Sequence, residues 1–181
     1  MHTDAFNQKP FAVVTGASSG IGRELAKEFA RNGFDLLLTS EDAELEAAAA
    51  EMGALGAFVR TVRADLALEN GVEKLAAEID ATGRDLDAVA INAGVGVGGD
   101  FRETGLEAEL QMIDLNCRST VHLAKRVVPK MSARGRGRLL FTASIASLMP
   151  APYEAVYGAT KAFVYSLRRH CATNSETAAS P

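Results

Sequence analysis

The chain has 181 residues, a length typical of one domain with a substantial hydrophobic core. Hydrophobic residues make up 48% and charged residues 23%, and the net charge of -4 leaves no basic surplus that would indicate nucleic acid as a partner. No apolar run approaches the ~20 residues of a membrane span, Met1–Lys9 lacks the apolar core of a signal peptide, and the two cysteines match no metal or disulfide spacing. These features predict a cytoplasmic protein without a metal site.

Segments typical of strands and helices alternate along the chain. Short apolar runs, or an alternating run in the third case, predict strands at 11–14, 35–39, 57–64, 86–91 and 137–142. Amphipathic segments and Ala/Glu/Leu-rich segments predict helices at 23–31, 42–52, 70–82, 106–131 (broken near Pro129) and from Tyr157 onward. This alternation predicts an α/β fold, in which helices cover both faces of a parallel sheet.

A glycine-rich turn, Thr15–Gly22, joins the first strand to the first helix. Gly16 permits the tight turn, Gly20 lets a pyrophosphate approach backbone N–H groups, and Gly22 lets the helix pack closely on the strand. The helix N-terminus then favours the anionic phosphates. An ordinary tight turn is the alternative, but the flanking strand and helix favour dinucleotide binding.

Tyr157 and Lys161 are four residues apart, which makes them neighbours on one face of a helix, about 6 Å apart at Cβ. A tyrosine pKa of ~10 is too high for proton exchange at neutral pH, and lowering it by ~3 units takes about 4 kcal/mol. A nearby ammonium supplies stabilisation of this kind to the phenolate. A half-buried tyrosine and a solvated lysine are the alternative, but Ser144, thirteen residues upstream of Tyr157, and the glycine turn favour a hydride-transfer site.

The pattern Thr-Gly-x-x-x-Gly-x-Gly, together with Asn92-Ala93-Gly94 and the Tyr157/Lys161 pair, resembles the short-chain dehydrogenase/reductase family. The resemblance covers residues 11–167, although Ile91 stands where the family usually has a second asparagine. It implies a Rossmann-like, doubly wound parallel sheet with helices on both faces. It also implies an NAD(P)-dependent oxidoreductase that transfers a hydride between the nicotinamide and a secondary alcohol or ketone.

The resemblance assigns roles residue by residue. Tyr157 would exchange the substrate proton, Lys161 would also hold the nicotinamide ribose, Ser144 would bind the substrate oxygen, and Asn116 would support a water-linked proton path. Asp65 and Leu66 resemble the adenine-contacting pair of the family. The expected cofactor-binding residues are Gly16, Ser18, Ser19, Gly20, Ile21, Gly22, Glu41, Asp65, Leu66, Asn92, Ala93, Gly94, Tyr157 and Lys161.

Two carboxylates, Glu41 and Asp42, follow the second strand, where relatives that prefer NADP usually carry a basic residue. Carboxylates there would repel a 2′-phosphate and accept hydrogen bonds from a ribose hydroxyl, which favours NAD over NADP. The alternative is that both acids merely open the next helix, where they suit its dipole. Arg23 lies close enough in sequence to offset them.

The last residues, 168–181, show no apolar periodicity and predict an irregular tail after an NAD(P)-binding domain at 1–167. The family continues with two more strands, a Pro-Gly cofactor loop and a segment that covers the substrate, so the resemblance implies a C-terminally truncated member. The strand at 137–142 would then be a sheet edge. Reading from the third base of the His170 codon permits an amphipathic helix end, which suggests that the tail is a frameshift product.

Two alternatives to an active enzyme stay open. The first is a truncated, catalytically inactive fragment that binds nucleotide. The second is a partner-binding module that reuses the fold, but no exposed apolar stripe or charged patch supports it. By resemblance we expect a small-molecule substrate, no membrane partner and a homo-oligomer formed through the helices at 106–131 and from Tyr157.

Overall fold

The computed structural model of the chain describes residues 9–177, including the side chains of residues 9–171. Its five strands, β1 to β5, are Phe11–Thr15, Asp35–Ser40, Val59–Arg63, Ala88–Ile91 and Arg138–Phe141. Its six α-helices, α1 to α6, are Gly20–Arg31, Glu44–Ala54, Glu69–Ala81, Leu106–Ile113, Ser119–Ala133 and Ala155–Thr177. A wide π turn, Asp114–Arg118, joins α4 to α5, and Ile145–Ser147 is a short 3-10 turn.

All neighbouring strands are parallel, and their order in the sheet is β3-β2-β1-β4-β5. The predicted Rossmann-like α/β fold is therefore confirmed. The order reverses between β1 and β4, where Val13 is in register with Leu37 on one side and with Val89 on the other. Crevices at such a reversal, at the carboxyl ends of the strands, are where open α/β sheets bind ligands.

The central strands β1, β2 and β4 are largely apolar because helices cover both faces of the sheet. Val13, Leu37 and Val89 point to one face and pack against apolar side chains of α3 and α5. The alternate residues, such as Val14 and Leu38, point to the other face and pack against α1 and α2. This two-sided burial explains the near-continuous hydrophobic runs of the first, second and fourth strands.

The edge strand β5 is less buried than the central strands. Leu140 is 39% exposed, and Leu139 and Phe141 are half-buried. Within the described residues β5 pairs with β4 alone, so the prediction that this segment forms a sheet edge is confirmed.

The break predicted near Pro129 is wrong. Helix α5 continues through Pro129 to Ala133, and the irregularity lies earlier, in the π turn around Asn116. Pro129 is exposed and stands in the last turn and a half of the helix, so the carbonyl that loses its partner lies where water reaches it. In the wide turn, the Ser119 and Thr120 hydroxyls donate to the carbonyls of Leu115 and Asn116.

The irregular chain predicted from Arg168 is also wrong as far as Thr177, because α6 runs to that residue. A helix forms its backbone hydrogen bonds within its own segment. It can therefore continue after the apolar periodicity is lost, provided that the segment contains no Gly or Pro. Local contacts support the extension: the Arg168 guanidinium lies 5.3 Å from the Tyr165 ring centroid, and His170 Nδ1 lies 2.9 Å from the Ser166 carbonyl oxygen.

Residues 178–181 of the predicted tail lie outside the described residues, and the domain division at 167 stays a prediction. No helix in the described part of the chain combines the length and the apolar character needed to cross a membrane.

Candidate active site

A groove of about 570 Å³ lies at the carboxyl ends of the strands. Residues that follow every one of the five strands contribute to its walls, which is the arrangement expected at the point where the strand order reverses. Most of the residues predicted for the site line this groove: Gly16, Ser18, Ser19, Gly20, Ile21, Glu41, Asp65, Leu66, Asn92, Ala93, Gly94, Ser144, Tyr157 and Lys161. The two others, Gly22 and Asn116, are not among the lining residues.

The glycine turn forms the floor at the start of α1. Gly16 and Gly20 have φ values of 64° and 52°, in the left-handed region that glycine adopts without strain. A Cβ on Gly22 would lie 2.0 Å from the Gly16 carbonyl oxygen, so only glycine fits there. The first turn of α1 contains no acidic residue, and its leading N–H groups lack intrahelical partners, so the turn suits a pyrophosphate.

At one end of the groove, Asp42 is held by two hydroxyls. Ser18 Oγ donates to Asp42 Oδ2 at 2.7 Å, and Ser40 Oγ donates to the same oxygen at 2.8 Å. Burial raises the pKa of Asp42, but the hydrogen bonds from Ser18 and Ser40 outweigh it and hold the pKa below its usual range. Asp42 therefore stands in the groove as an ordered carboxylate.

Glu41, the acid chosen from the sequence, is exposed, and its backbone carbonyl accepts a 2.7 Å hydrogen bond from Arg63 Nε. Arg23, which could have offset the acids, instead pairs with Glu51 at 2.8 Å. Asp42 is thus the better-ordered of the two acids. Ser18 and Ser40, whose hydroxyls hold Asp42, precede it by 24 and 2 residues, so the sequence offered only the neighbouring Ser40 as a signal.

A chain of hydrogen bonds links the ends of three strands to α6. Thr15 Oγ1 accepts from the backbone N–H groups of Asn92 and Ala93, both at 2.9 Å. Thr142 Oγ1 donates to Asn92 Oδ1 at 2.9 Å, and Lys161 Nζ donates to the Thr142 carbonyl at 3.0 Å. Sequence reasoning missed Thr15 and Thr142, although each is a hydroxyl residue at the carboxyl end of a strand.

Lys161 is buried, with 6% of its surface exposed, and its Nζ lies 5.8 Å from the Tyr157 ring centroid. Burial lowers the pKa of Lys161, and the nearby Cys117 acts in the opposite direction. Because the ammonium is poorly hydrated, water screens its field at Tyr157 only weakly. The predicted pair is therefore brought together in the groove.

Asn116 lies behind the groove, in the wide turn, and is 1% exposed. Its Oδ1 accepts from the Val95 N–H at 3.0 Å, and its Nδ2 donates to the Val95 carbonyl at 2.9 Å and to Thr160 Oγ1 at 3.0 Å. A Cβ on Gly94 would lie 2.9 Å from Asn116 Oδ1 and 3.1 Å from Lys161 Nζ. Asn116 thus fixes the segment that covers Lys161; its water-linked proton path stays a prediction.

Ser144 follows β5 and caps the 3-10 turn Ile145–Ser147. Its Oγ accepts from the Ala146 N–H at 3.2 Å, a bond that uses a lone pair and keeps the hydroxyl proton available for an oxygen in the groove. Ser147, the other serine of this turn, donates its hydroxyl to the Ser144 carbonyl and is not among the lining residues. The geometry therefore favours Ser144 for contact with a ligand.

Among the side chains of residues 9–171, no cluster of three or more His, Cys, Asp or Glu residues could hold a metal ion. The groove combines a phosphate-binding turn with a serine, a tyrosine and a buried lysine. This combination is typical of NAD(P)-binding oxidoreductases with a Rossmann-like fold.

A family model described as short chain dehydrogenase matches residues 10–178. The chain belongs to this family. It is 34% identical over 162 residues to the oxidoreductase UcpA of Salmonella typhimurium, covering 89% of this chain and 62% of that protein. It is 41% identical over 155 residues to the 1-deoxy-11-beta-hydroxypentalenate dehydrogenase of Streptomyces exfoliatus, covering 83% of this chain and 56% of that protein. The chain thus spans about three-fifths of the length of these curated relatives.

Solved structures agree with the family. The L-sorbose reductase from Gluconobacter frateurii, complexed with NADPH and L-sorbose, superposes with a TM-score of 0.86 and 32% sequence identity. The match covers 92% of this chain and 64% of that chain.

Proposed function

We propose that the chain binds NAD(P) along the groove and carries the hydride-transfer site of an oxidoreductase that acts on a secondary alcohol or ketone. One observation carries this proposal: Ser144, Tyr157 and Lys161 line the same groove as the glycine turn. Each of these side chains has a task in this chemistry, and the phosphate-binding turn supplies the place for a dinucleotide.

A bound nicotinamide supplies the hydride acceptor or donor. The Ser144 hydroxyl donates to the substrate oxygen. Tyr157 takes the proton of that oxygen during oxidation and returns it during reduction. Lys161, fixed by the Thr142 carbonyl, places its ammonium 5.8 Å from the centroid of the Tyr157 ring, where it favours the phenolate form during proton transfer.

We also propose that the site prefers NAD to NADP. The ordered carboxylate of Asp42 supports this preference, because it would repel a 2′-phosphate in the adjoining part of the groove. Arg23, the basic residue that adjoins the glycine turn in the sequence, is paired with Glu51. The L-sorbose reductase of similar fold is complexed with NADPH, so this fold can also hold a 2′-phosphate.

Calorimetric titration with NADH and NADPH tests this preference. We expect the chain to bind NADH more tightly, and we expect Asp42→Asn to narrow the ratio of the two dissociation constants. Asp85→Asn is the matched control, since Asp85 lies before β4, at the opposite end of the strands, and pairs with Arg134 and Arg136. Tighter binding of NADPH by the unaltered chain would contradict the preference and leave NAD(P) binding intact.

The reaction is tested by following nicotinamide absorbance over a panel of secondary alcohols. Tyr157→Phe removes the proton-exchanging oxygen and is expected to lower kcat by about 10²- to 10⁴-fold while cofactor affinity is retained. Tyr165→Phe, two turns further along α6, is the matched control and is expected to keep the activity. Equal turnover by the Tyr157→Phe variant would exclude the proposed mechanism.

Nucleotide binding without turnover is a second candidate function. The glycine turn and the ordered Asp42 carboxylate favour it, because neither of these features depends on Tyr157 or Lys161. Cofactor binding with no reduction of NAD⁺ or NADP⁺ by any alcohol would support this candidate. A homo-oligomer built on α4, α5 and α6 stays a prediction.

A further inference from the structure

Gly94, Gly96 and Gly98 form a strip without side chains, the glycine strip, beside the catalytic residues. A Cβ on Gly94 would meet Asn116 and Lys161, one on Gly96 would lie 3.4 Å from the Tyr157 ring, and one on Gly98 would lie 3.5 Å from the Tyr153 carbonyl oxygen. Residues two apart in an extended segment share a face, so this face lies directly against the site. The segment 94–98 therefore forms one wall of the space around Tyr157.

The segment that contacts Gly98 and Gly99 contains an unusual backbone conformation at Tyr153. Its φ is 65°, and among the described residues it is the only non-glycine residue with positive φ. A bulky residue in this region is an outlier, and such residues concentrate at functional sites. The Gly99 N–H donates to the Tyr153 carbonyl at 2.8 Å, which ties Tyr153 to the glycine strip, while 70% of the tyrosine surface remains exposed.

The surroundings of Ser144 and Tyr157 are apolar and nearly free of charge. From Thr142 to Tyr153 the chain carries no charged side chain, and Ile145, Leu148 and Met149 are 73%, 66% and 56% exposed. The glycine strip is likewise uncharged.

Two nearby cations are already engaged, and Glu154, which follows Tyr153, carries a negative charge. Lys161 is buried and bonded to the Thr142 carbonyl, and Arg102 forms an ion pair with Asp100 at 2.6 Å. A carboxylate or phosphate on the substrate would therefore lack a cation on these walls, whereas an apolar body would cover exposed apolar side chains.

We propose that Tyr153 is a specificity-determining residue that selects uncharged alcohols or ketones whose body beyond the reacting carbon is apolar. The inference rests on the proposed function and names its substrate class. The Gly99 hydrogen bond fixes the Tyr153 backbone against the glycine strip, whose Gly96 adjoins the Tyr157 ring. Its ring, with Ile145, Leu148 and Met149, forms the surface on which the substrate body packs.

The test compares the affinities of 2-butanol, 2-octanol and 3-hydroxybutanoate for the full chain saturated with NAD⁺, measured by calorimetry. A buried methylene is worth ~0.8 kcal/mol, or about fourfold in affinity, so the four extra methylenes of 2-octanol are expected to give more than tenfold tighter binding than 2-butanol. The anionic 3-hydroxybutanoate is expected to bind more weakly than 2-butanol.

Variants test whether Tyr153 causes the difference in affinity between 2-octanol and 2-butanol. Tyr153→Gly removes the ring and suits the left-handed backbone, so it is expected to fold, to bind NADH normally and to reduce the octanol/butanol affinity ratio at least threefold. Tyr153→Phe is expected to keep the ratio. Phe58→Ser is the matched control, since Phe58 is 65% exposed and precedes β3 at the far end of the sheet.

Three outcomes would overturn the inference. One is an octanol/butanol ratio that Tyr153→Gly leaves unchanged, and another is 3-hydroxybutanoate bound as tightly as 2-butanol. The third is a Tyr153→Gly variant that differs from the parent only in self-association on sedimentation, which would assign the apolar surface to a second copy of the chain. Failure to bind any nicotinamide nucleotide would instead refute the proposed function, and this inference with it.

Discussion

Replacement of Asn116 by alanine gives the sharpest test of how the site is held together. The side chain makes three hydrogen bonds, two to the Val95 backbone and one to Thr160 Oγ1, and is 1% exposed. Each such bond contributes roughly 1 kcal/mol net, so Asn116→Ala is expected to lower the free energy of unfolding by about 3 kcal/mol. With a urea m-value of about 2 kcal/mol/M, the midpoint falls by about 1.5 M.

Hydrogen exchange separates this local effect from general destabilisation. The Val95 amide donates to Asn116 Oδ1, so its exchange should accelerate in Asn116→Ala beyond the acceleration of amides in the central strands. Asn70→Ala is the matched control: Asn70 is exposed in the first turn of α3, and alanine has the higher helix propensity.

The reasoning would be refuted if Asn116→Ala and Asn70→Ala had the same urea midpoint, or if the Val95 amide kept its protection. Either result would mean that the three bonds contribute nothing beyond what water supplies. An Asn116→Ala chain that is destabilised as expected, yet transfers hydride at the normal rate, would remove Asn116 from the proton path and keep its positioning role.

Three further predictions concern packing, charge and the sheet edge. Gly22→Ala places a Cβ 2.0 Å from a backbone oxygen and should abolish nucleotide binding and lower the melting temperature, whereas Gly53→Ala, with open space around it, should raise the melting temperature. Folding lowers the pKa of Asp42, so its carboxylate stabilises the fold at pH values above the ordinary aspartate pKa of about 4. This stabilisation is lost as the pH falls through the pKa of the folded state. Asp42→Asn should therefore lower the urea midpoint at neutral pH but not in strong acid. Leu140→Lys should reduce light scattering from self-association, whereas Leu55→Lys, at 41% exposure, should not.

The order of strands and helices was predictable because apolar runs and amphipathic periods report burial directly. The predicted ends of the strands and helices lie within three residues of the observed ones, apart from the break expected near Pro129 and the end of α6, which was expected near residue 167 and lies at Thr177. The strand ends also located the groove, since the glycine turn and Asn92-Ala93-Gly94 follow β1 and β4. These features depend on local chemistry, which a single sequence expresses well.

Features that depend on contacts between distant segments were not predictable. Pro129 was predicted to break a helix because proline removes a backbone hydrogen bond. Whether the helix tolerates this loss depends on whether water reaches the carbonyl that is left without a partner, and only the fold determines that. Asp42 ranked below Glu41 because the two serine hydroxyls that hold it come together only in three dimensions. The bond from Lys161 to the Thr142 carbonyl likewise joins a helix to the end of a strand.

The wide turn at Asp114–Arg118 sets the rotational phase between two helices. A π turn accommodates one more residue than an α turn, and each residue of a helix advances the side-chain direction by about 100°. Deleting one residue from the turn would allow a regular helix to form, but it would rotate α4 by about that angle relative to α5. Met112, which is fully buried, would swing away from the core, and Asn116 would no longer face Val95. A sequence shorter by one residue here would therefore keep every helix and lose the alignment between them.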